Sequence, residues 1–452
     1  MGKAGERRMK LSVFMGGDCN YHIAGWRLPD TFADTGMNIQ RWMSLAQTME
    51  RGKLDMLFIA DSIGVPGVDN REALSHNPMT DRLEPFTTLA ALSSVTKHIG
   101  LAATSATTYT EPFHVARMFA SLDYLSGGRA GWNVVTGGNR EDALNFSHKG
   151  HPEHGDRYDR AEEFVDVVTG LWDSFDEDAF PRDKSSGIYM HPDKMHVLNH
   201  SGEHFKVKGP LSVARSPQGR PILIQAGASD PARDLSARIA DAVFMSASSF
   251  EQAQAFYSDV KARLGRFNRK FDDMLVLPGV VVIVGRTSDE AEEKYEQMNS
   301  LLHLTTALAL LEQRMGGIDL SSYPLDGPMP NIEGNQARMS NPPALMALAK
   351  RENLSLRQLA MRHAAARVHW MVRGTPDHVA DQLEHWFING AADVFNLLPM
   401  TVPGSINDFV DLVVPELQRR GLFRMEYEGK TLRENLGLSA PVNRHSQKPQ
   451  VL

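Results

Sequence analysis

Between residues 126 and 164 the chain reads SGGRAGWNVVTGGNRED, then a polar stretch, then HGDRYDRAEEF. A short apolar run, Trp132 to Val135, ends in Thr136-Gly137-Gly138, a histidine-bearing loop follows, and Arg157-Tyr158 opens a segment of helical periodicity. Hydroxyl, phenol and guanidinium groups delivered together at a strand end suit a polar cofactor. A second such place is QAGASDPARD. Gly227 and Ala228 leave the backbone accessible, Ser229 or Asp230 can cap a helix, and Pro231 suits its first turn. Free N–H groups at a helix start attract phosphate, although the same residues also make an ordinary capped helix. Asp61 ends an otherwise apolar run, where a carboxylate needs a partner, a ligand or a turn to cap. His148, His151 and His154 invite a zinc reading, but their spacing lacks the H-E-x-x-H pattern, and solvated loop histidines, or one histidine bonding a cofactor, are the stronger expectations. Cys19 and His22 lie three apart in DCNYHIAGWR, a thiol and imidazole that need not face each other in a loop.

The elements that must hold these groups repeat. Short apolar runs at Lys10 to Met15, Asp55 to Ala60, Ile99 to Ser105, Ala130 to Val135, Pro221 to Ala226, Asp241 to Ser246, Pro278 to Val284 and Asp393 to Leu398 read as strands. Helical spacing lies between them: Ile39, Trp42, Met43, Ala46 and Met49; Val115, Met118, Phe119, Leu122 and Leu125; Ala161, Phe164, Val165, Val168, Leu171 and Trp172. Eight alternating units predict an α/β fold, a (β/α)8 TIM barrel with long insertions at the strand carboxyl ends; a doubly wound open sheet is the competing arrangement. The expected layout is a single barrel domain over 1–422 with departures at about 16–36, 174–219 and 302–373, and a peripheral extension over 423–452. The first and third departures would overhang the barrel mouth as lids. In such a barrel Asp61, Thr104, Thr136, Gly137 and Ser229 all fall at strand carboxyl ends, where chemistry is done.

Composition narrows the partners. Of 452 residues, 42% are hydrophobic and 23% charged, which is ordinary globular usage. No apolar run approaches the roughly 18 residues of a membrane helix, and a net charge of -7 argues against a nucleic-acid or anionic-membrane surface. The start, MGKAGERRMK, has no apolar stretch behind it, and with a single cysteine, Cys19, the expectation is a cytoplasmic protein without a disulfide framework. No G-x-G-x-x-G follows a strand, so a built-in nicotinamide fold is not expected, and G-x-S-x-G is missing too. Gly429-Lys430-Thr431 mimics the end of a phosphate loop, but Arg424 stands where its leading glycine belongs.

Taken in order, AGWR (Ala24 to Arg27), ERGKLDMLFIADS, EPFHVARMFASLDYLSGGRAGWNVVT, HGDRYDRAEEF and LIQAGASDPAR give the chain a specific resemblance. It resembles the bacterial-luciferase-like flavin-dependent monooxygenases, within them the nitrilotriacetate, dibenzothiophene-sulfone and long-chain alkane subgroup. The resemblance implies FMN binding at Asp61, Thr104, Thr136 or Gly137, His154, Tyr158 and the Ala228-Ser229 pair. Tyr158 and the amides near Ser229 would hold the phosphate, and Asp61 with the ends of the third and fourth strands would line the isoalloxazine side. Cys19 and His22 look like a pair near the flavin in the alkane-oxidising members, and His22 is the candidate catalytic group. Pro66 departs from those members, where a tyrosine is expected, which weakens an alkane substrate. The implied chemistry is that of a two-component monooxygenase. Reduced FMN (FMNH2) arrives from a separate NAD(P)H-dependent flavin reductase, reacts with dioxygen to a C4a-(hydro)peroxyflavin, and oxygenates a small-molecule organic substrate. The implied assembly is a homo-oligomer, dimer or tetramer. A flavin or deazaflavin reductase or a plain flavin-binding protein of the same fold, and a metal-dependent barrel hydrolase, are the other functions considered.

Overall fold

Strands buried on both faces read as unbroken apolar runs, which is how parallel barrel strands differ from half-exposed antiparallel ones. The computed structural model describes residues 7–65, 68–137, 140–146, 153–315, 317–330 and 342–446. Its strands are β1 (Lys10–Met15), β2 (Met56–Ile59), β3 (Gly100–Ala106), β4 (Ala130–Val135), β5 (His200–Ser201), β6 (Lys206–Val207), β7 (Ile222–Ala226), β8 (Ala242–Met245), β9 (Leu275–Val284), β10 (Trp370–Gly374) and β11 (Val394–Leu397). Eight of them, β1, β2, β3, β4, β7, β8, β9 and β11, pair in parallel in that order, and β11 returns to β1 to close the barrel. All eight predicted runs are barrel strands, and the closed sheet rules out the doubly wound alternative.

Two elements lie outside the eightfold pattern. β10, at the end of the third insertion, adds in parallel to the carboxyl half of β9, from Val280 to Val284. β5 and β6 form a small antiparallel ladder inside the second insertion. The barrel interior is filled by Met56, Phe58, Ala102, Ile222, Ile224, Ala242, Leu277 and Val394. Outside, the helix Ile39–Arg51 buries Trp42, Leu45, Ala46 and Met49, and Asn38 caps it by accepting from the Gln40 N–H. The helix Pro112–Ser126 buries Val115, Phe119 and Leu122 and ends on Gly127 at φ 69°. Met118 and Leu125, expected on that buried face, point to solvent instead. They sit at the edges of a stripe that Val115, Ala116, Phe119 and Ala120 already fill.

The insertions are ordered where they meet the barrel mouth. Tyr21 and His22 donate their N–H groups to the carbonyls of Pro399 and Met400 after β11, and Asn20 Oδ1 accepts from the Val402 N–H. The helices Leu304–Arg314, Pro342–Glu352 and Leu356–Ala366 of the third insertion build a small core of their own, which also receives Ile23 from the first. The two departures therefore cover the mouth as one packed unit.

The carboxyl-terminal segment is not peripheral. Leu432, Leu436 and Leu438 join the interior cluster, so the short helix Leu432–Leu436 plugs the amino end of the barrel. Arg424 pairs with buried Asp55, and Arg433 reaches Asp241 at 2.9 Å. A segment as polar as EGKTLRENLG reads as surface because only its two leucines are apolar, while Arg433 and Asn435 are buried as well, Arg433 against Asp241 far away in sequence.

Candidate functional site

Three phenylalanines form the floor of the barrel mouth. Phe14 stacks on Phe244 at 5.7 Å and meets Phe58 edge-on at 5.5 Å. Above this apolar layer β3 and β4 present polar side chains. The Thr104 hydroxyl donates to the Ile59 carbonyl at 2.8 Å and accepts from Asn133 Nδ2 at 3.0 Å. With its amide nitrogen so committed, Asn133 leaves a buried carbonyl oxygen, Oδ1, without a partner among the described residues. A buried acceptor without a donor costs about 1–3 kcal/mol, so this oxygen is open to a ligand N–H or an ordered water.

Asp61, two residues beyond Ile59, is partly buried and takes a hydrogen bond from Arg82 Nε at 3.2 Å. Burial raises its carboxyl above the ordinary value, and the arginine opposes that rise. Thr136 follows β4, and its carbonyl accepts from Thr108 Oγ1 at 2.6 Å. Gly137 takes φ 67°, in the left-handed region, and its carbonyl accepts from Arg157 Nη1. His154 opens the helix His154–Trp172; its side chain lies outside the described residues, as do His148, His151 and Pro66.

One turn into that helix, Tyr158 approaches the glycine that follows β7. A Cβ on Gly227 would lie 3.4 Å from the Tyr158 hydroxyl and 2.6 Å from Ala232 Cβ. Only glycine fits between the strand end and the helix Asp230–Ile239. Ala228 is exposed, and Ser229 is the N-cap, with a side chain that makes no capping bond. The amides at this helix start are therefore left for another acceptor. The predicted cofactor residues fall in two groups: Asp61 after β2 and Thr104 on the adjoining β3; Thr136 and Gly137 after β4, with Tyr158 at the Gly227 corner that leads to Ala228-Ser229.

Among the described residues His22 makes no hydrogen bond to either group. Its Nδ1 accepts from the Ala24 N–H at 3.2 Å, which places the proton on Nε2, donating to Asn299 Oδ1 at 3.2 Å. Burial lowers its pKa to about 4, so the ring is neutral at pH 7. Cys19 is fully buried, and burial pushes its thiol well up, which keeps it protonated. Among the described residues no hydrogen bond joins Cys19 to His22.

Residues 19–393 match the family model described as luciferase-like monooxygenase. The chain belongs to that family. It is 47% identical over 444 residues to N-acetyl-S-(2-succino)cysteine monooxygenase of Bacillus subtilis, covering 98% of this chain and 99% of the relative. It is 49% identical over 432 residues to nitrilotriacetate monooxygenase component A of Aminobacter aminovorans, covering 93% and 95%. A crystal structure of riboflavin lyase with modified FMN and riboflavin superposes with a TM-score of 0.86 at 32% identity, covering 96% of this chain and 97% of that one. The resemblance carried by the sequence motifs is borne out. Among the described residues no helix is long and apolar enough to cross a membrane.

Asn133 and Arg82 were not among the predicted site residues. Asn133 carries a readable signal, a lone amide inside the apolar run AGWNVV. Arg82 carries none, because its role depends on a carboxylate 21 positions away.

Proposed function

We propose that this chain is the oxygenase component of a two-component monooxygenase, taking FMNH2 from a separate NAD(P)H-dependent flavin reductase. The observation that carries the reading is the unpartnered Asn133 Oδ1, set beside Thr104 and Asp61 at the barrel mouth. This donor and acceptor set fits a flavin. Asn133 Oδ1 offers an acceptor to a ring N–H, and the bare N-cap at Ser229, with Tyr158 beside it, suits a phosphate. When bound, reduced FMN supplies the two electrons with which dioxygen gives one oxygen atom to substrate and one to water.

The chain's own residues bind, orient and exclude water. Thr104 fixes the Asn133 amide in one orientation, and Arg82 holds Asp61. Phe14, Phe58 and Phe244 close the site from below, and the packed insertions cover it from above, which keeps water from a reactive centre. His22 acts in this reading as a neutral hydrogen-bond donor that shapes the cover, not as an imidazolium acid.

The component A name of one relative supports the division of labour, and the modified FMN held by one structural neighbour supports the flavin. The relatives' names do not fix the organic substrate. The test is product formation from a substrate panel with NADH, FMN, dioxygen and an added flavin reductase. Oxygenated product that depends on all four supports the proposal; equal turnover with the reductase omitted contradicts the two-component reading.

A further inference from the structure

We propose that Arg367 is a specificity residue that binds a carboxylate of the organic substrate, making this chain an oxygenase of organic acids rather than of neutral hydrocarbons. That the bound acid is a substrate rests on the oxygenase reading above; the anion site does not.

Arg367 ends the helix Leu356–Ala366 with φ 52° and ψ -121°, a conformation that residues other than glycine rarely adopt. Such a backbone persists where surrounding packing enforces it, and it concentrates at functional sites. Here its N–H caps the helix by donating to the His363 carbonyl at 2.7 Å. The guanidinium lies over Tyr21, 4.0 Å from the ring centroid, with Nη2 3.3 Å from Met79 Sδ.

No carboxylate lies within 4 Å of this cation among the described residues. Three deeply buried arginines, Arg215, Arg424 and Arg433, each hold an aspartate, and a fourth, Arg129, is satisfied by the carbonyls of Ser93, Thr96, Ile99 and Ser126; the guanidinium of Arg367 has neither kind of partner among the described residues. Asp18 is the acid whose field Arg367 touches; its Oδ2 accepts from Asn20 at 2.7 Å and its Oδ1 has no hydrogen-bond partner among the described residues, yet neither oxygen comes within ion-pair distance of the guanidinium. The other ionisable neighbours cannot compensate. Arg314 is a second cation, and His22, His363 and His369 are held neutral by burial, a tendency that Arg367 reinforces.

The position is right for a substrate group. Met79 bridges Arg367 to Arg82, whose Nη1 donates to the Met79 carbonyl at 2.6 Å and whose Nε holds Asp61. Tyr21, beneath Arg367, meets Phe14 of the mouth floor edge-on at 6.1 Å. The cation thus overlooks the barrel mouth from the cover, beside the proposed flavin. A planar guanidinium stacked on an aromatic ring presents an oriented fork that matches a carboxylate with two parallel hydrogen bonds.

The test is calorimetric titration of the FMN-loaded full chain with acetate, succinate, citrate and nitrilotriacetate, against acetamide and succinamide. At least one acid should bind more tightly than the amides. Arg367→Gln should weaken that acid by about ten- to hundred-fold, Arg367→Lys should recover part of the loss, and FMN affinity should not change. The wild-type titration stands even if Arg367→Gln does not fold. Equal binding of acids and amides by the wild type, or retained discrimination in Arg367→Gln, overturns the proposal. A chain that binds acids through Arg367 but forms no oxygenated product overturns the oxygenase reading and leaves the anion site intact.

Discussion

Replacing Gly227 with alanine tests the phosphate end of the site. The new Cβ would stand 2.6 Å from Ala232 Cβ, where ordinary contact begins near 3.4 Å, so the start of the helix Asp230–Ile239 must retreat by about 0.8 Å. The shift carries the Ala228 and Ser229 amides with it and lengthens hydrogen bonds that weaken steeply with distance. Losing one hydrogen bond to a charged group costs about 1.5–3 kcal/mol, which is roughly ten- to hundred-fold in affinity. Riboflavin has no phosphate and so provides the internal control. Fluorescence titration of Gly227→Ala should show FMN binding weakened by that factor and riboflavin binding nearly unchanged. Overpacking would also lower stability by about 1–3 kcal/mol, read separately from the denaturant midpoint. Equal losses for FMN and riboflavin, or no loss for either, would refute a phosphate at this helix start.

Other expectations follow from single contacts. Asn133→Ala removes the unpartnered acceptor and should weaken FMN and riboflavin equally, by about five- to ten-fold, in the same titration; unchanged affinity would remove Asn133 from the site. Leu432→Ala opens a hole in the barrel plug and should lower stability by about 2–5 kcal/mol by denaturant unfolding, with FMN affinity intact because the plug lies at the opposite end from the mouth. His22, His363 and His369 have pKa values lowered to about 4, 3 and 3 by burial, against an ordinary value near 6.5. Between those values the unfolded chain binds more protons than the folded one, so stability falls as pH drops below 6.5. Over pH 5 to 6 the three together give a slope of about 4 kcal/mol per pH unit, measurable as the shift of the urea midpoint; the triple glutamine variant should flatten it, and a wild-type midpoint constant over this range would contradict their neutral burial.

What the amino-acid sequence revealed depended on how far each signal reaches along the chain. The barrel was legible because each strand is buried on both faces, so Leu57 to Ile59 or Val280 to Val284 appear as unbroken apolar runs. The capped helix start proposed for the phosphate was legible as a helix start because Gly227, Ser229 and Pro231 are local backbone chemistry. β10 escaped because Trp370–Gly374 closes a long polar insertion and pairs outside the eightfold pattern. The plug escaped because Arg424 and Arg433 look solvated until Asp55 and Asp241 are brought beneath them by the fold. Arg367 escaped because its stacking on Tyr21 and its place beside Met79 exist only in the three-dimensional packing.

The central claim is that reduced flavin and dioxygen meet at this barrel mouth to oxygenate an organic molecule. It is tested most directly in a single turnover: the protein is loaded with FMNH2 without air, given substrate, and mixed with heavy-isotope dioxygen. The account predicts one heavy oxygen atom in the product and the other in water. Product without the label, substrate reduced in the absence of dioxygen, or recovery of all the label as hydrogen peroxide would contradict it.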